Sequence, residues 1–234
     1  MDGVKERPIL FSAPMVRAIL EGRKTQTRRK VFNKRTTNYH SIEERDDGTL
    51  WPWRETEDAQ DHWYPCPYGQ PGDLIWVRET CRADELPSGL DGVRYLADDA
   101  FVSIENTEQA AERWGELACY GMKNSGRAEC RLVPSIHMPR WASRISLEIT
   151  GVRVERLQDI SEADALAEGV YDGRACQCEI PLDFVRSCGN CGGRLVDSVG
   201  LYRKLWESIN GPGSWEANPW VWVIEFKRVK GGAA

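Results

Sequence analysis

The sequence predicts an α+β fold, a mixed barrel-like β-sheet with a few flanking helices. Three observations carry this. Ile145, Leu147, Ile149, Val152, Val154 and Leu157 recur with the spacing of one long strand bent at Gly151. Short apolar runs at 8–11, 74–77 and 220–226 supply further strands. No regular strand–helix alternation separates them, which argues against a doubly wound parallel sheet.

Taken in order, residues 8–11 (PILF) start a buried strand, and 12–22 form a helix. Ser12 caps this helix, Pro14 occupies its first turn and Gly22 follows its end, with Met15, Ile19 and Leu20 on the buried side. Residues 33–70 are polar and aromatic, and Pro52, Pro65, Pro67 and Gly69 interrupt them, so little regular structure is expected there. Pro71-Gly72-Asp73 then turns the chain into the strand at 74–77. Between 81 and 135 the pattern supports a strand near Tyr95 and a helix over TEQAAERWGELA. After the long strand comes a helix capped by Ser161, with Asp164 three residues on and Gly169 at its stop. Glu168 falls in its last turn, where a carboxylate meets the negative end of the helix dipole, and this points to another use for it. A further helix at 201–211 puts Leu201, Leu205 and Ile209 on one stripe. The continuous apolar run from Trp220 ends the fold with a strand buried on both faces.

At 41% hydrophobic and 29% charged residues, the chain is too apolar to be disordered. Its 234 residues suffice for a single domain over 1–234 carrying an insertion at 172–196. No apolar run is long enough to span a bilayer, and MDGVKERPIL lacks the stretch of a signal peptide, so a cytoplasmic protein without membrane contact is expected. The net charge of −5 excludes a polycation that coats nucleic acid. Arg23, Lys24, Arg28, Arg29, Lys30, Lys34 and Arg35 nevertheless lie within thirteen residues that contain no acid. Such a run is either a solvated basic face or the contact for a phosphate-bearing ligand. Most of the ten tryptophans are expected in the core or at its rim, and a minority can stack on a base.

Eight cysteines in a reducing compartment are thiols or metal ligands. Cys176, Cys178, Cys188 and Cys191 form two close pairs in a loop too small for its own core, which suits one tetrahedral structural Zn²⁺. Four thiolates leave no open coordination position, so the chemistry is not assigned to the metal. Cys66, Cys81, Cys119 and Cys130 have no such spacing and read as isolated thiols.

The stretch from Gly22 to Arg29, GRKTQTRR, places Lys24 and Thr27 three residues apart, just after a helix. Thr is a poor nucleophile until a base takes its proton, and Lys serves as that base only when burial or nearby cations lower its pKa. The stretch resembles the G-x-K-x-x-E-x-R motif of the ASCH domain family, which has a PUA-like β-barrel fold. Gly22, Lys24 and Arg29 match it, and Thr27 stands where most members have Glu. That variant is similar to the one in small bacterial N4-acetylcytidine amidohydrolases, for which a Lys, Thr and Glu triad has been proposed. Glu168 matches the third member by its place near a helix end. PGDLIWVRET, SIHMPRWASRISLEIT and SWEANPWVWVIEF resemble the longer ASCH proteins of phages and prophages. Parts of 33–66 and 81–130 and the cysteine loop fall outside the likeness.

The resemblance implies an amidohydrolase that removes an N-acyl group from a modified cytosine nucleoside. Lys24, Thr27 and Glu168 would be catalytic, and Arg23, Arg29, His137 and Arg140 would bind substrate. Glu79 is a further candidate for the same cleft. Two alternatives stand beside it: a module that binds RNA or modified nucleic acid without turnover, and a ribonuclease. The expected partner is a modified nucleoside or a single-stranded nucleic acid.

Overall fold

The computed structural model describes residues 3–31, 41–55, 60–123, 132–170 and 197–229. In chain order its elements are β1 (Glu6–Leu10), α1 (Ala13–Leu20), β2 (Gln26–Lys30), β3 (Ser41–Glu44), β4 (Leu50–Glu55) and β5 (Asp61–Trp63). There follow β6 (Leu74–Arg78), β7 (Cys81–Glu85), β8 (Asp91–Tyr95), β9 (Phe101–Ser103) and α2 (Glu108–Lys123). The chain continues through β10 (Ser146–Arg156), α3 (Glu162–Ala167), α4 (Ser198–Asn210) and β11 (Trp220–Arg228). The fold is α+β. Its largest sheet has five strands in the order β1-β6-β10-β11-β2, and two further sheets have three strands each. The described strands close no barrel, because β3–β5 and β7–β9 pair among themselves instead of extending the large sheet.

The chain divides into two compact units, the first being Met1–Leu20, Asp73–Glu148 and Arg228–Ala234. In it β1 runs parallel to β6, and β6 pairs antiparallel with the start of β10. Lys5 N donates to the Asp73 carboxylate (3.0 Å), fixing the turn ahead of β6. Strands β7, β8 and β9 form an antiparallel sheet, and α2 packs on β7 and β8 around Cys81, Val93, Tyr95, Leu117 and Met138. The pattern had supported only the middle strand of this sheet. Strand β7 alternates weakly (CRADE), β9 has three residues, and their pairing with β8 makes up for that.

The second unit is Glu21–Gly72 and Ile149–Lys227. It contains the antiparallel pair β11–β2 and a core of Leu157, Ile160, Tyr202, Trp206, Trp215 and Val223. Strand β10 stays continuous through Gly151, where a side chain would meet Glu225 Oε2 at 2.8 Å. That glycine therefore allows a close approach within an unbroken strand.

Two expectations fail here. Residues 33–70 are not irregular throughout, since β3, β4 and β5 form a sheet. Its signal is the Asp47-Gly48 turn: Arg45 N donates to Thr49 O (2.8 Å), and the Asp47 carboxylate accepts from Thr49 N (2.9 Å). Pro52 sits inside β4 and offers its carbonyl to Tyr64 N (3.0 Å). The Arg45 guanidinium lies over Trp51 (4.3 Å) and Trp63 (5.3 Å), covering aromatic surface that a lone hairpin leaves wet. The second failure is the buried stripe of α4, which is Ser198, Tyr202 and Trp206, leaving Ile209 59% exposed. The larger aromatic rings remove more area from water than the leucine–isoleucine stripe and set the helix rotation.

Candidate active site

The centre of the second unit is a buried charge network built from β2, β10 and α3. Ser161 and Asp164 cap α3 reciprocally, the Ser161 side chain accepting from Asp164 N (3.1 Å). The helix ends at Glu168, and Gly169 follows with φ +80°, a left-handed conformation that suits glycine. Thr25 N donates to Ala167 O (2.9 Å), and Lys24 forms an isolated antiparallel bridge with Glu168. Two residues 144 positions apart are thereby fixed by backbone before their side chains meet.

Lys24 Nζ donates to Glu168 Oε2 (2.7 Å), to Glu168 O (2.9 Å) and to Gln26 O (2.8 Å). Lys24 and Glu168 are each 2% exposed. Burial pulls the Lys24 pKa below its ordinary 10.5, and the Glu168 carboxylate opposes that shift without cancelling it. Arg28 is also buried and reaches three carboxylates: Glu155 (3.1 Å), Asp164 (3.3 Å) and Glu168 (3.5 Å). Arg153 extends the network to Glu155, Asp164 and Glu225. The basic run is therefore not a solvated face where it is described, because Lys24 and Arg28 point inward onto carboxylates. Period-2 alternation in β2 puts Gln26 and Arg28 on the face that meets α3, and that signal could have singled out Arg28.

Thr27 and Arg29 occupy the other face of β2, opposite Ile224 and Trp222 on β11. Thr27 is 0% exposed, and its Oγ1 accepts from Arg29 (2.8 Å). No hydrogen bond joins Thr27 to Lys24 among the described residues. The closest link is Gln26 O, the carbonyl of the peptide that joins Gln26 to Thr27. Beside them Trp222 is fully buried and packs edge-on against Trp51 at 4.9 Å. Its Nε1–H has no acceptor among the described residues, an omission that costs about 1–3 kcal/mol. Sequence patterning gave no sign of this donor, since Trp222 reads as one more apolar residue in a buried strand.

The other candidates have separate places. Arg23 bonds to Glu21 (2.7 Å) and to Gly169 O (3.2 Å), one residue from Glu168. His137 and Arg140 belong to the first unit, where the His137 ring packs beside Tyr120 (5.0 Å) and Arg140 pairs with Glu6 (2.6 Å). Glu79 is buried in that unit and held at both oxygens by Arg144 (2.9 Å each). Cys66 and Cys81 are buried, and Cys119 is exposed. Cys130, Lys34, Arg35 and the proposed ligands Cys176, Cys178, Cys188 and Cys191 lie outside the described residues. Among the described residues no group of His, Cys, Asp and Glu is arranged to hold a metal ion, and no helix is long and apolar enough to cross a membrane.

The chain matches no known protein family, no curated protein and no solved structure.

Proposed function

We propose that the second unit is an amidohydrolase site of the ASCH type, on a PUA-like variant of the α+β fold, acting on an N-acylated cytosine nucleoside. The observation that carries this reading is the buried Lys24–Glu168 pair beside the peptide that leads into Thr27. A lysine whose pKa burial has lowered is what a general base at this position needs.

In the proposed reaction Lys24, as the neutral amine, exchanges its bond to Gln26 O for the Thr27 hydroxyl and accepts its proton. Thr27 Oγ1 attacks the acyl carbon, and the carbon–nitrogen bond to the cytosine amine breaks. The proton returns from Lys24 to the departing amine, with Glu168 holding the ammonium between the two transfers. Water then hydrolyses the threonine ester. Arg29 and the Trp222 N–H are the donors available to a developing oxyanion on the Thr27 face of the sheet. Thr27 is buried, so substrate reaches it only when a covering side chain moves.

The test is release of cytidine from N4-acetylcytidine, followed by chromatography. Wild type is expected to turn over and Thr27→Ala to lose at least about a thousandfold in rate. Trp222→Phe should lose about a hundredfold in kcat while its unfolding midpoint stays close to wild type, because no hydrogen bond in the free protein is removed. The base works only when neutral, and its neutral fraction grows with pH. Activity should therefore rise with pH to a midpoint below 10.5. Wild-type inactivity on acylated cytidines would remove the proposal.

A second reading is retention of a nucleoside or single-stranded nucleic acid without turnover. The absence of a Lys24–Thr27 bond favours it, as do the Trp51, Trp53 and Trp63 rings on one face of β4 and β5. Binding of cytidine or short RNA that Thr27→Ala leaves unchanged, with no product, supports this reading; shortened RNA points instead to a ribonuclease.

The structural zinc is proposed from the spacing of Cys176, Cys178, Cys188 and Cys191. Native mass spectrometry should find one Zn²⁺ per chain, lost in Cys188→Ser. A metal-free chain with full solubility would exclude it.

A further inference from the structure

The first unit contains a cavity of about 190 Å³ between β8, β9, the start of α2 and the Trp141 turn, far in sequence from the Lys24 site. We propose that it binds a free aromatic α-amino acid, with the ring inside and the zwitterionic head at the mouth.

Inside, the walls are Val93, Ile104, Ala142, Tyr95 and Trp141. The Tyr95 hydroxyl in this wall already donates to Ala142 O (2.8 Å). A phenyl ring placed there brings no polar edge that needs a partner. A cavity of about 150 Å³ already admits benzene, so a single substituted ring fits, with its polar end projecting.

At the mouth stand Glu105 and Arg113, both exposed lining residues. Their side chains have no ion pair or hydrogen bond among the described residues, and they do not pair with each other. Two opposite charges left separate at one opening match a ligand that carries both signs. The ammonium of an α-amino acid would meet Glu105 and its carboxylate Arg113, the latter with the two-pronged geometry that guanidinium favours. Ala110 lies one helical turn before Arg113 on the same wall, so a larger side chain there fills the space without touching the core.

Isothermal titration calorimetry of the full chain tests this with L-phenylalanine and L-tryptophan. Phenethylamine, 3-phenylpropionate, cytidine and guanosine serve as comparisons. Saturable binding of at least one amino acid is expected. Removing either head charge from the ligand, or either mouth charge by Glu105→Gln or Arg113→Gln, should weaken it about tenfold. Ala110→Phe should abolish it with an unchanged circular dichroism spectrum, and Thr27→Ala should leave it intact. No saturable binding of either amino acid overturns the proposal. So does affinity indifferent to Glu105→Gln and Arg113→Gln, or preference for a nucleoside.

Discussion

Glu168→Ala is expected to lower the free energy of unfolding by about 3–5 kcal/mol, the range seen when one partner of a buried ion pair is removed. Lys24 would keep its bonds to two carbonyls, but its ammonium would lose the Glu168 carboxylate at 2.7 Å. Arg28 would lose one of its three carboxylates. Neither cation has access to water that could replace the lost charge, since both are 2% exposed. The cost is therefore that of a stranded charge, not that of one hydrogen bond. The double variant Lys24→Met/Glu168→Leu separates the two, because it removes both charges while keeping side-chain volume. It should recover most of the stability lost in the single variant. Urea unfolding of the three proteins makes the comparison, and a loss under about 1 kcal/mol in Glu168→Ala would mean that water reaches the pair. Hydrolysis should vanish in both variants, so stability and activity part company in the double variant.

Arg144→Met should produce a loss of similar size in the first unit, and one that depends on pH. Arg144 holds both oxygens of buried Glu79, bonds both oxygens of Asp98 (2.8 and 2.9 Å), and stacks on Tyr95 at 4.0 Å. Burial raises the Glu79 pKa above its ordinary 4.5 even with Arg144 opposing the shift. Without the guanidinium the folded-state pKa rises further, so over a wider range above 4.5 the folded protein binds a proton that the unfolded chain does not. Stability in that window falls as pH rises, because the unfolded state there holds fewer protons than the folded state. Arg144→Met is therefore expected to be about 3–5 kcal/mol less stable than wild type near neutral pH, with the gap narrowing on acidification toward 4.5. Denaturant midpoints across that range check it. A gap constant with pH would show that lost packing on Tyr95, not a stranded carboxylate, accounts for the change.

Both variants concern residues whose partners could not be read from their neighbours in the chain. The helix that ends at Glu168 was legible, down to its Ser161–Asp164 capping box and Gly169 stop, because capping chemistry is local. An acid at the negative end of a helix dipole also pointed to another use for Glu168. The position of the long strand and the double-sided burial of β11 followed from hydrophobic period alone. The sheet of β3, β4 and β5 was missed because prolines and polar residues masked a hairpin whose stability comes from tryptophan rings and the Arg45 guanidinium stacked over them.

What the sequence determined by itself is everything set within a few residues: caps, turns, apolar alternation, and the concentration of charge around Lys24. Only the tertiary structure decided where those charges go. It turned Lys24 and Arg28 inward onto Glu168, Glu155 and Asp164, and it put Thr27 on the opposite face of β2 beside Trp222. The physical reason is that a strand alternates its faces while a buried charge needs a counter-charge. Which carboxylate supplies it depends on strands and helices that meet only after the chain has folded, more than a hundred residues away in sequence.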